Sequence, residues 1–122
     1  MSRDYQLYLA DIAERCGRII KGTAGLDQPA FLSNEWHLDA TLRNLEVMGE
    51  AVKHIPDEIR LLAPDIPWSL IARFRDLIVH SYFRVDPAEV WNIVEVEVPV
   101  LLQHVKALQS ALADRGDDPA AP

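Results

Sequence analysis

Two polar side chains able to do chemistry, Arg75 and His80, interrupt an otherwise apolar run at residues 68–83, and Tyr82 follows them closely. Arginine brings a permanent planar cation with a fork of N–H donors, and histidine an imidazole that titrates near neutrality. That pair suits metal-free RNA cleavage, which needs a base to take the 2′-hydroxyl proton and a fixed cation to hold the charge growing on the phosphorane. From physics alone, an arginine and a histidine on a helix are more often a surface cation and a hydrogen-bonded histidine than a site. Read as one helix, residues 68–83 advance about 100° per residue, which sets Arg75 and Tyr82, seven apart, on nearly one face. His80 falls roughly 140° around the axis from Arg75 by the same geometry. The two meet on one small anion only if the arginine curls round, the helix distorts, or a second copy of the chain completes the site, and the geometry leans towards a dimer.

Other chemistries find less support. Di-iron bundles use a Glu plus a Glu-x-x-His pair from facing helices, whereas Glu50 and His54 stand four apart. His37, His54 and His104 show no ligand spacing, so neither a metal nor another cofactor is expected. Cys16 lies on the apolar face of an amphipathic pattern and reads as core. No glycine-rich phosphate loop is present.

The elements that must position these residues are helical. Tyr5, Tyr8, Leu9, Ile12, Cys16, Ile19 and Ile20 recur at helical spacing before Gly22 and Gly25. Asp27 with Pro29 predicts a capped short helix. Leu38, Leu42, Leu45, Met48, Val52 and Ile55 step by three and four, giving a second long helix that Pro56 ends. Residues 56–62 predict a further short helix, and Pro64 and Pro67 break the chain before the central run. Asp86 and Pro87 open the last helix. Val94 to Val98 alternates like a strand, but Trp91, Val94, Val98, Leu101, Val105, Leu108 and Leu112 keep a heptad spacing too long for one. Pro99 removes a backbone donor there and predicts a kink. Four long helices predict an all-α antiparallel four-helix bundle over residues 1–113, followed by a polar tail at residues 114–122.

A chain of 122 residues with 49% hydrophobic and 25% charged residues fits one soluble domain. A single cysteine and the absence of a signal-like or membrane-spanning run point to the cytoplasm. The net charge of -7 argues against general nucleic-acid binding, yet two basic against seven acidic groups in residues 85–122 account for most of the excess. Between Arg73 and Arg84 the balance is three basic to one acidic, which leaves room for a local phosphate site.

The spacing of Arg75, His80 and Tyr82 resembles the signature of the HepT family, the HEPN-domain toxins paired with MNT-type nucleotidyltransferase antitoxins. Ile66 to Ile71 upstream, Phe83 to Pro87 downstream, Val90 to Val94, and the stretch Leu42 to Lys53 are similar to the family's other hallmarks. The resemblance implies a HEPN-type bundle, a two-fold homodimer, and a metal-independent ribonuclease of a type VII toxin–antitoxin system with its cleft at the dimer interface. It further implies Arg75 as phosphate stabiliser, His80 as acid and base, and Tyr82 as the residue to which the antitoxin transfers AMP. Asp76 departs from the Asn common after the signature arginine. It either pairs with the guanidinium and weakens its field, or orients His80. Arg43, Arg73 and Arg84 are candidate RNA contacts, and Arg43, Glu46 and Glu50, at helical spacing, either face the cleft or form a solvated, ion-paired face. Trp68 and Trp91 read as core or interface aromatics. The competing expectation is a non-catalytic helical dimer that docks the nucleotidyltransferase and is modified by it.

Overall fold

The computed structural model describes residues 4–116. Its elements are α1 (Asp4–Thr23), α2 (Gln28–Leu32), α3 (Glu35–Lys53), α4 (Asp57–Arg60), α5 (Trp68–His80), a 3₁₀ turn (Tyr82–Arg84), α6 (Pro87–Asn92), a π-helical turn (Ile93–Glu97) and α7 (Val98–Asp114). No strand occurs among the described residues, so the alternation at residues 94–98 is overruled by the longer helical stripe. The helix starts follow the sequence chemistry: the carboxylates of Asp27 and Asp86 accept from the N–H groups of Ala30 and Ala88, and Asn34 caps α3 through Trp36 N–H. Of the polar tail expected from residue 114, Asp114 instead closes α7 and residues 117–122 lie outside the described residues.

Two local expectations change. The run at residues 68–83 is not one helix: α5 stops at His80, Ser81 leaves helical geometry at φ -146° and ψ 48°, and Tyr82 begins a 3₁₀ turn. Tyr82 therefore does not share a helical face with Arg75. At the last helix, the distortion expected from Pro99 takes the form of a π turn just before it, where Val98 N–H reaches Ile93 C=O, five residues back. Widening the turn accommodates a residue whose ring crowds the preceding carbonyls and which donates no bond.

The core is built from α1, α3 and α7: Leu9, Ile12, Cys16 and Ile19 meet Leu42, Met48 and Val52, and Val98, Val105, Leu108 and Leu112 close the far side. Cys16 sits wholly inside, its Sγ 3.6 Å from Met48 Sδ, and burial pushes its thiol pKa up to about 12. Phe31 of α2 is enclosed against Trp91 of α6.

Helix α5 is different. It packs chiefly on α3 and buries only Trp68 and Ile78 fully, so most of its surface stays within reach of solvent. A clip fixes where it starts. The Arg60 guanidinium donates to the carbonyls of Val52 (2.7 Å) and Ile55 (3.0 Å), satisfying acceptors at the end of α3. Trp68 Nε1–H donates in turn to the carbonyls of Arg60 (3.3 Å) and Ala63 (3.1 Å), with the guanidinium 6.0 Å from its ring centre. Trp68 and Trp91 are thus core residues in the chain.

Candidate functional site

The crossing of α3 and α5 depends on Gly49. A Cβ there would collide with the Cβ of Arg75, stand 2.7 Å from Arg75 Cγ, and come within 3.2 Å of Ile71 C=O. Only a residue without a side chain lets the stem of Arg75 lie across α3. The stem is accordingly well covered, the Arg75 side chain being 21% exposed.

Its guanidinium is held by two carboxylates. Nη2 lies 3.1 Å from Glu50 Oε2 on α3, and Nη1 donates to Asp76 Oδ1 at 3.0 Å. Asp76 Oδ1 also accepts from Lys53 Nζ at 2.6 Å. These contacts, that from Lys53 first and that from Arg75 second, hold the Asp76 carboxyl below the usual aspartate range. Of the two roles the sequence allowed for Asp76, the geometry gives the ion pair, and no hydrogen bond links it to His80 among the described residues. The other Glu50 oxygen is 3.5 Å from His54 Nε2, and the His54 ring stacks on Tyr8 with centroids 4.4 Å apart. Arg75 Nε is buried and has no hydrogen-bond partner among the described residues.

His80 closes α5 as an exposed side chain, and no hydrogen bond or ion pair ties it to Arg75 or to any other described residue. Within a single chain the two sit on different sides of α5, as the spacing predicts. Tyr82, 53% exposed, donates its hydroxyl to Asp39 Oδ1 at 2.9 Å, joining the 3₁₀ turn to the first half of α3. That bond to Asp39 is the main reason the phenol pKa is raised above 10, and it keeps the hydroxyl protonated. Asp39, Arg43, Glu46, Val79 and Tyr82 line an open hollow between α3 and the end of α5, with Arg43 3.6 Å from Glu46. Arg73 and Arg84 are exposed.

The sequence marks Arg75, His80 and Tyr82 as candidates and offers Asp76 as a partner of Arg75, but not the contacts made across helices. For Glu50 the spacing leaves open a cleft-facing residue or part of a solvated charged face, and it marks neither Lys53, Gly49 nor Asp39. A signal existed for three of them, since Glu46, Gly49, Glu50 and Lys53 recur by threes and fours along one side of α3. Among the described residues, no group of three or more His, Cys, Asp or Glu side chains gathers as a metal site, and no helix is long and apolar enough to cross a membrane.

The described residues form an all-α fold of HEPN type. Comparison with known proteins narrows the class. The family described as Ribonuclease HepT-like matches residues 12–108, and the chain belongs to that family. It is 40% identical over 101 residues to "Probable ribonuclease HepT" of Thermococcus cleftensis, covering 83% of this chain and 92% of that protein. Two Methanocaldococcus jannaschii proteins that carry RNase in their names are also similar. One is 36% identical over 113 residues, 93% of this chain and 97% of its own length. The other is 41% identical over 97 residues, 80% of each. No solved structure matches the chain significantly.

Proposed function

We propose that the protein is the toxin of a HEPN/MNT toxin–antitoxin system, a cytoplasmic homodimer that cleaves RNA without a metal. The observation that carries the reading is the contrast on α5 between a braced Arg75 and an open His80, in a chain of the HepT-like ribonuclease family. In the proposed reaction, His80 takes the proton of a ribose 2′-hydroxyl while that oxygen attacks the adjacent phosphorus. Arg75 holds the negative charge that builds on the phosphoryl oxygens. The bond to the 5′-oxygen then breaks, the imidazolium returns a proton to it, and the products are a 2′,3′-cyclic phosphate and a 5′-hydroxyl. Each Nη of Arg75 carries two N–H groups, so one on each nitrogen remains for phosphate while the carboxylates stay bound. Arg43, Arg73 and Arg84 are assigned to the RNA backbone.

Neutralisation is proposed to run through Tyr82. Its Oη attacks the α-phosphorus of ATP on an MNT-type nucleotidyltransferase antitoxin, the phenol proton is released to solvent, pyrophosphate leaves, and the tyrosine becomes a phosphodiester of AMP. The new anion repels RNA phosphate and takes the place of the hydroxyl that donates to Asp39. The exposure of Tyr82 supports its accessibility to such a partner.

The test is incubation of purified protein with RNA in the presence of chelator. Cleavage with cyclic-phosphate ends, lost in His80→Ala and in Arg75→Ala, is the expected result; activity lost to the chelator alone overturns the mechanism. The two carboxylates on Arg75 favour a second reading, in which the dimer is only a docking partner and substrate of the nucleotidyltransferase. Growth arrest by the wild type but not by His80→Ala would reject that alternative.

A further inference from the structure

We infer that Glu50 is a positioning residue for Arg75, setting the direction in which the guanidinium meets the scissile phosphate; the inference rests on the ribonuclease reading above. Three independent features of the crossing support it. The Arg75 stem is threaded over a glycine where no Cβ fits, so the side chain enters the site along one path. Along that path Nε is buried without a partner, which leaves the orientation of the planar group to what grips its two Nη atoms. Those grips differ in kind. Asp76 is the residue next to Arg75 on the same helix and reaches α3 only indirectly, through Lys53, whereas Glu50 is the carboxylate that meets the guanidinium directly from α3.

The charge of Glu50 has a second effect. A carboxylate 3.1 Å from the cation opposes the approach of any phosphate, in the ground state as well as later. Its retention next to a phosphate-binding group is accounted for if the orientation it imposes is worth more to the reaction than the binding it costs. That balance gives a signature that a purely structural ion pair lacks. Removing the charge while keeping the shape should leave RNA binding equal or tighter and slow the chemical step, a split between KM and kcat.

The experiment compares wild type, Glu50→Gln and, as a remote control, Glu14→Gln on α1, whose ion pair with Arg18 is exposed. Steady-state cleavage of one RNA is measured beside the thermal unfolding midpoint of each protein. The expected result is a kcat reduced about tenfold or more in Glu50→Gln with KM unchanged or lower, an unfolded fraction too small to account for the loss, and a Glu14→Gln protein like the wild type. An active wild type matched by an equally active Glu50→Gln overturns this inference alone, as does a loss that follows the unfolded fraction. A wild type that cleaves no RNA removes the ribonuclease reading and the inference with it.

Discussion

Asp76 accepts from two cations through one oxygen, and the pH behaviour of the site follows from that arrangement. Its folded pKa lies below the unfolded value, so its contribution to stability is complete above the unfolded aspartate pKa and disappears as pH falls through the lower folded one. A carboxyl-carbon NMR titration should therefore show Asp76 still ionised where ordinary aspartates are half protonated, and Lys53→Ala should move its midpoint up. Tyr82 runs the other way: with its folded pKa raised, its contribution is complete below the unfolded tyrosine pKa and is lost as pH rises through the folded one. Asp39→Asn should bring the phenol midpoint down in an ultraviolet titration; an unchanged midpoint would contradict the Asp39 bond. Cys16, with a thiol at about 12, should resist iodoacetamide at pH 8 in the folded protein and react at the ordinary rate in denaturant. At this scale Arg75, His80 and Tyr82 were legible because their types stand out in an apolar run. Asp76 was legible as a partner of Arg75 because it is the next residue, whereas Glu50, Lys53 and Asp39 were not, because pairing across helices depends on which faces meet.

The helices determine how far the arginine can move. Gly49→Ala gains about 0.5–1 kcal/mol of helix propensity, but the new methyl is forced against Arg75 and Ile71, and overpacking of this kind costs about 1–3 kcal/mol. The expected outcome is a net loss of stability on the order of 1–2 kcal/mol in urea unfolding, together with impaired RNA cleavage. A more stable, fully active variant would contradict the crossing. The long helices were legible from periodicity and two of the caps from Asp27 and Asp86. Two features were not. The end of α5 at His80 carries no Gly or Pro signal, since Ser81, Tyr82 and Phe83 prolong the pattern before them. The π turn before Pro99 leaves the three-and-four spacing of apolar residues intact, so the sequence marks a distortion without saying which kind.

For the whole molecule, the proposal turns on how a braced cation and an open imidazole come to act on one linkage. They lie five residues apart on α5, about 140° around its axis, and among the described residues no hydrogen bond or ion pair joins them. The proposed two-fold dimer resolves this by lending each cleft residues from both copies. Mixing purified Arg75→Ala with His80→Ala under conditions that exchange subunits tests that claim most directly, because a mixed dimer keeps one intact arginine and one intact histidine on opposite chains. RNA cleavage should reappear in the mixture although each variant alone is inactive. A mixture that exchanges subunits yet stays as inactive as its components would contradict a site built jointly by Arg75 and His80 across the dimer.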